Sequence, residues 1–226
     1  MSIFDPVLEN MATYESFIKL NGAIGDLVFY NLNGKNIVRK KSGFNKIAYK
    51  KSPTYEKVRQ NSSEFGHCSK VGKLIRSSIS KYIELAEDAL LYQRFAKTMT
   101  EIKDLDSEHE KGNRTVKSGL RIKEGKIALQ NFELSKFQNF RQEAHILLGL
   151  WDKSLHLDKA IIADEITIVS IKIDFENFLT ECFEEKISLH ENQNEMVFEN
   201  HFSEEDDVLH FVVAKKDSQI IKMGFV

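Results

Sequence analysis

Leu27-Val28-Phe29-Tyr30 and Ile37-Val38-Arg39 flank Asn33-Gly34, a dipeptide that tolerates positive φ at both central positions of a type I′ turn. That chemistry predicts a β-hairpin. Upstream, Asn21-Gly22 and Gly25 punctuate an expected strand over Tyr14–Leu20, and downstream Lys40–Lys51 reads as a basic loop carrying Phe44 and Tyr49. The pattern then changes. Ser52-Pro53 has the chemistry of a helix start. Val58, Phe65, Gly72 and Ile79 recur at sevens, with Cys68, Ile75 and Tyr82 between them, so one apolar helix face is expected. Gly66 and Gly72 lie along or beside that face and would let another backbone approach closely. A second helix is expected over Glu84–Lys103, with Leu85, Ala89, Tyr92, Ala96 and Met99 on one stripe and Leu91, Phe95 and Ile102 beside it.

After a polar segment the period shifts again. Lys126–Leu134, Ala144–Trp151, Glu165–Phe175, Glu195–Phe202, Val208–Ala214 and Gln219–Phe225 read as strands, the last three as an antiparallel meander turning at Ser203–Asp207 and Lys216-Asp217-Ser218. Helices grouped apart from strands indicate an α+β fold: an N-terminal β-hairpin, two packed helices, and a C-terminal antiparallel, β-rich, sandwich-like region. The expected divisions are residues 1–104, a polar linker at 105–125, and residues 126–226. Asn33, Gly34, Phe65, Gly66 and Gly72 are the expected structural positions.

The 226 residues are 42% hydrophobic and 29% charged, which excludes a disordered chain and predicts a packed core. The residues before Tyr14 include Asp5, Glu9 and Pro6 and lack the basic and apolar regions of a secretory signal. No apolar run approaches the roughly 18 residues of a membrane span. Cys68 and Cys182 are far apart, which favours reduced thiols over a disulfide framework. The expectation is a soluble protein of the cytoplasm or of an assembled particle.

Charge is lopsided. Thirteen Lys and Arg face two acidic residues between Lys35 and Tyr82, whereas four lysines face eleven acidic residues from Glu181 onward. The basic patch comprises Arg39, Lys40, Lys41, Lys46, Lys50, Lys51, Lys57 and Arg59, interleaved with Phe44, Tyr49 and Tyr55, a combination that suits phosphate backbones and stacked bases. The acidic patch is Glu204, Glu205, Asp206 and Asp207, which lacks the glycine and alternating ligands of a calcium loop. The glycines fit neither a dinucleotide nor a P-loop spacing. His67-Cys68 beside Glu64 could in principle form a thiol–imidazole pair, but Cys68 sits on the apolar stripe and reads as packing. His201, Glu204 and His210 could approach a cation across a hairpin, although solvent-facing strand positions are the simpler reading. No catalytic residue, metal site or cofactor is expected.

Gly22-Ala23-Ile24-Gly25-Asp26-Leu27-Val28-Phe29-Tyr30, Asn33-Gly34-Lys35, Val38-Arg39, Arg59-Gln60-Asn61-Ser62-Ser63-Glu64-Phe65-Gly66, Cys68 and Gly72-Lys73-Leu74-Ile75-Arg76 resemble an uncharacterised protein family common in Bacteroidota genomes. The resemblance continues weakly through Gly125-Lys126 and Asn131-Phe132-Glu133-Leu134 and carries no activity or site role. The expected function is a non-enzymatic structural or interaction protein that assembles with itself into a filament, tube or virion-like shell. Opposed charge, free sheet edges and the spaced apolar residues Ile3, Phe4, Val7, Leu8 and Met11 motivate it. The alternative is a nucleic-acid-binding accessory protein acting through Lys35–Lys81.

Overall fold

The computed structural model describes residues 11–16, 18–41, 46–140, 143–148, 153–158, 161–190 and 193–226. Ile3, Phe4, Val7, Leu8 and Phe44 lie outside them. The chain forms two compact units, Met1–Tyr55 and Glu56–Val226. The divisions expected at 104 and 125 fall inside the second.

The first unit is a four-stranded antiparallel sheet, ordered β1 (Met11–Thr13), β4 (Lys35–Lys40), β3 (Leu27–Leu32), β2 (Gly22–Ile24). Its centre is the expected hairpin: Leu32 pairs with Lys35, and Asn33 and Gly34 both have positive φ, at 51° and 80°. Between Tyr14 and Leu20 no described residue is in a strand, because Tyr14 instead turns the chain, its hydroxyl bonded to the carbonyl and amide of Leu20. Part of the expected basic loop is a short helix, α1 (Lys46–Lys51), followed by a 3-10 turn at Pro53–Tyr55.

The second unit has three layers. A central antiparallel sheet is ordered β11 (Gln219–Phe225), β10 (Val208–Lys216), β7 (Glu165–Asp174), β8 (Leu179–Ser188). One face packs on the helices α2 (Glu56–Ser78), α3 (Ser80–Ala86), α4 (Leu91–Asp104), α5 (Val116–Arg121) and α6 (Lys123–Gln130), through Val169, Ile171, Phe211, Ile75, Phe95 and Met99. The other packs on a small sheet ordered β5 (Ala144–Leu148), β6 (Lys153–Leu157), β9 (Glu195–Phe198), through Ile166, Ile168, Val212, Leu155, Met196 and Phe198. Burial on both faces explains why β7 and β10 read as near-continuous apolar runs instead of alternating ones.

Several expectations change. Lys126–Leu134 is not a strand: α6 covers most of it, and Gly125 at its start allows backbone approach so close that an added Cβ would lie 2.0 Å from the Gly119 carbonyl oxygen. The polar segment contains α5, whose Thr115 hydroxyl accepts from the Ser118 amide as an N-cap. Glu84–Lys103 is two helices, α3 ending at Glu87 with left-handed φ. Strands β6 and β8 have no counterpart in the sequence reading, and β9 joins β6 instead of extending the meander of β10 and β11.

The face of α2 is shifted. Cys68, Val71, Gly72 and Ile75 are buried, but Phe65 is 60% exposed and Val58 49%. Glu64 takes the buried position that the sevenfold spacing assigns to Phe65, because α4 presents Lys103 there as a counter-ion. Gly72 does permit close packing, a Cβ there meeting Met99 and Phe95, whereas a Cβ at Gly66 would meet nothing.

Candidate functional site

The basic patch is divided between the units. Arg39, Lys40, Lys41, Lys46, Lys50 and Lys51 belong to the first, Lys57 and Arg59 to the start of α2 in the second. Lys41 donates to the Gly25 carbonyl at 3.0 Å, fixing the chain beyond β4 to the β2–β3 turn. The register places Lys35, Arg39 and Tyr30 on one face of the sheet, while Tyr49 and Tyr55 meet edge to face at 5.9 Å beside Lys50 and Lys51.

The acidic patch is a turn leading into β10, and half of it is already compensated. Asp206 pairs with Lys172 at 3.1 Å and accepts from the Ser203 amide and hydroxyl at 3.0 and 2.9 Å. Asp207 pairs with Lys117 at 3.1 Å and Arg121 at 3.8 Å. Asp206 and Asp207 therefore strap the turn to β7 and α5, while Glu204 and Glu205 face solvent.

Beneath that strap a cavity of about 550 Å³ opens where α5, α6, the first residues of β10 and the small sheet meet. Its walls include Leu129, Leu209 and Phe225 on the apolar side and Lys153, Ser203 and His210 on the polar side. The two-residue period of strands explains the polar side. Lys153 shares its face of β6 with buried Leu155 and Leu157, and His210 shares its face of β10 with Val212 and Ala214, so both point inward at the open end of the sandwich. His210 is 9% exposed, its Nδ1 lies 3.1 Å from the Ser170 hydroxyl, and its ring packs on the edge of Phe198, the strand partner of Lys153. Burial, reinforced by the Lys153 charge, pushes the His210 imidazole down to about 4, so it is neutral at pH 7. Burial also lowers the Lys153 ammonium, with Glu204 opposing.

A second polar cluster lies between α2 and α4. Lys103 bridges Glu64 and Asp104, both at 2.6 Å, and the Gly112 amide donates to Glu64 at 2.6 Å. Burial alone would raise the Glu64 carboxyl, but Lys103 and the Gly112 amide outweigh it and hold it below the ordinary range. Next to it, Asp106 accepts from the amides of Glu108, His109 and Thr115 and from His109 Nδ1. Asp106, Glu108 and His109 are the one trio among the described residues close enough to share a cation. Asp106 is occupied by those donors, which makes the trio a loop staple. This is how a polar segment with little apolar content becomes ordered.

His67 and Cys68 point apart. Nε2 of His67 accepts from the Val116 amide at 3.1 Å, and the Cys68 thiol faces the Met99 carbonyl at 3.5 Å, its pKa pushed up by burial. His201 stacks on Phe183 at 4.3 Å, and His210 is interior, not solvent-facing, so the cation reading of His201, Glu204 and His210 has no geometric basis. Both cysteines are free thiols. No helix among the described residues is long and apolar enough to cross a membrane.

Sequence reading did not find Lys153, Ser170 and His210 as a group. The signal was a histidine and a serine inside otherwise apolar strands, Val208–Ala214 and Glu165–Asp174, at positions whose parity matches the core. No protein-family model, curated protein or solved structure matches the chain.

Proposed function

We propose that this chain is a non-enzymatic interaction protein that assembles with copies of itself, the N-terminal unit of one copy seating on the outer strand β8 of the next. The observation that carries this reading is that Ile37 is the one buried side chain among the described residues of the N-terminal unit. Ile24 and Leu27, cross-strand partners, are exposed on one face, and Leu32 on the other. A sheet this poor in core needs a covering surface to be stable. Charge selects the partner. Residues 1–55 hold eight Lys and Arg against four Asp and Glu, a net of +4, whereas residues 56–226 hold 24 against 30, a net of −6. Strand β8 ends its sheet and alternates apolar with acidic side chains, Leu179, Glu181, Phe183 and Glu185, on one face; Leu179 is 62% exposed and Phe183 45%. It replaces the Glu204–Asp207 turn as the acidic docking surface because that turn is engaged by Lys117, Arg121 and Lys172 of its own chain.

Contact between two different surfaces repeats head to tail, which builds a filament or tube, or a closed ring if the rotation permits. Light scattering coupled to size-exclusion chromatography tests it. The mass is expected to rise with protein concentration, and to fall as the screening length shrinks from about 10 Å at 0.1 M salt to about 3 Å at 1 M. Replacing Lys40, Lys41, Lys50 and Lys51 together by Gln is expected to leave folding intact and abolish the larger species. A monomer at every concentration, or a salt-insensitive oligomer, rejects the reading.

One observation favours the alternative, a nucleic-acid-binding accessory protein: Tyr30 shares a sheet face with Lys35 and Arg39. Fluorescence anisotropy with single-stranded and duplex oligonucleotides at low salt decides it. Binding through this face should lose about 0.7 (single strand) or 0.9 (duplex) from the log–log salt slope for each phosphate contact removed, and absence of binding ends it.

A further inference from the structure

The cavity under the Ser203–Asp207 strap combines an apolar wall with an inward-facing lysine on which Glu204 acts only through its charge, with no ion pair formed. Lys153 makes no hydrogen bond or ion pair among the described residues, although it points inward at the open end of the sandwich, beside His210. The Asp206 carboxylate on the rim is neutralised by Lys172. That leaves Lys126 and Lys153 against Glu204 as the unpaired charges of the lining, one positive charge in excess. The non-Ser170 nitrogen of the His210 ring is likewise without a hydrogen-bond partner among the described residues. A volume of about 550 Å³, with apolar side chains and a few convergent polar groups, is the form taken by small-molecule sites.

We infer that this cavity binds a small monocarboxylate with an apolar body, its carboxylate meeting Lys153 and His210 and its hydrocarbon lying along Leu129, Leu209 and Phe225. A single net positive charge suits a carboxylate better than a dianionic phosphate. Lys153 is half-buried and its ammonium has no hydrogen-bonded acceptor among the described residues, so a carboxylate seated there supplies the missing partner in a charge-assisted hydrogen bond. Glu204 at the rim repels anions outside the cavity, which limits binding to ligands whose apolar part enters it. The inference is independent of self-assembly, since it uses none of the residues assigned to that contact.

Octanoate, octan-1-ol and octylamine are the probes, titrated into the full chain with calorimetry and with the histidine ring signals followed by NMR. Octanoate is expected to saturate below about 1 mM and to shift the His210 ring signals, with octan-1-ol and octylamine each at least about tenfold weaker. Lys153→Gln should weaken octanoate about tenfold or more while leaving octan-1-ol unchanged, and Lys153→Arg should restore much of the difference. Ile146→Trp, which fills the cavity from β5, should remove binding of all three probes. The inference is overturned by octanoate that does not saturate below about 3 mM, by octanoate and octan-1-ol binding within about twofold of each other, or by octanoate affinity indifferent to Lys153→Gln. Because the comparison of octanoate with octan-1-ol uses the unmodified chain, a variant that fails to fold does not rescue it.

Discussion

The two antiparallel sheets at the centres of the two units are opposites. The sheet of β7 and β10 is covered on both faces, and Ile168, Ile171, Val212 and Val213 have no more than 1% of their surface exposed. The sheet of β3 and β4 buries Ile37 alone among its described residues and leaves Ile24, Leu27 and Leu32 in the open. Hydrophobic content does not separate them, since Leu27-Val28-Phe29-Tyr30 is as apolar as Phe211-Val212-Val213-Ala214. What separates them is the supply of covering layers, five helices and a second sheet in one case. A strand's apolar residues are a demand for burial, and the rest of the molecule determines whether it is met inside the chain.

The sharpest way to break this comparison is to make the same change in both sheets. Ile168→Asp places a carboxylate where no solvent reaches and should cost about 4–5 kcal/mol, enough to unfold a domain of ordinary stability. Ile24→Asp, at a side chain 61% exposed in the single chain, should move the denaturant midpoint by less than about 0.5 kcal/mol equivalent at a protein concentration and salt that keep the chain monomeric. Equal losses in the two monomeric variants would show that the N-terminal sheet is covered within its own chain.

A smaller effect tests how the covering layer is held. Glu64→Ala removes the buried partner of Lys103 and the acceptor of the Gly112 amide together, leaving Lys103 only the half-exposed Asp104. A loss of about 3 kcal/mol is expected in chemical unfolding, with increased hydrogen exchange confined first to residues 105–115. A loss below about 1 kcal/mol would mean that the cluster is solvated and the loop is ordered by Asp106 alone.

Acid should find the other side of the sandwich. The folded chain holds His210 at about 4 against an ordinary histidine value of about 6.5, so between those values the unfolded chain binds the extra proton. Stability from this group is complete above about pH 6.5, falls as pH drops through the window, and is gone by about pH 4, a change on the order of 3 kcal/mol. His67, lowered by burial and by Lys70, acts with the same sign. His210→Gln should flatten the fall in stability between pH 6.5 and 4 while leaving the steeper carboxylate-driven loss at lower pH, to which Glu64 contributes. An unaltered slope would show His210 reaching water.

Local chemistry was the legible part of this chain. Asn33-Gly34 wrote its turn into two residues, Asp217-Ser218 wrote another, and the apolar runs of β7, β10 and β11 could be read without knowing their partners. Strand β8 could not, because an edge strand with glutamates on both faces lacks the pattern that burial imposes. Nor could α5 and α6, where Gly119 and Gly125 matter through close backbone approach: an added Cβ at Gly119 would lie 2.0 Å from the Ile102 carbonyl oxygen. The charged patches were visible as composition, but their use was not. The basic run straddles a unit boundary, and the acidic run is tied down by Lys117, Arg121 and Lys172, which nothing nearby in sequence announces. The cavity was invisible for the same reason, being assembled from α5, α6, β6 and β10.

The smallest effect has the opposite sign and locates where the cover on α2 ends. Sequence spacing places Gly66 along or beside the apolar face, where a small residue would let another backbone approach closely. The structure leaves open space around it: a Cβ there meets nothing within 4 Å, whereas at Gly72 it would lie 3.1 Å from Arg76 and 3.2 Å from Met99. Alanine at an unobstructed helix interior position is favoured over glycine, because it restricts the unfolded backbone and costs the helix nothing. Gly66→Ala should therefore raise stability by about 0.5–1 kcal/mol, and Gly72→Ala should lower it unless Met99 and Arg76 give way by a few tenths of an ångström. Thermal unfolding of the two variants side by side reads the difference directly. Destabilisation by Gly66→Ala would place a neighbouring chain or segment against the first turns of α2, and with it the exposed Phe65 and Val58, on a covered surface.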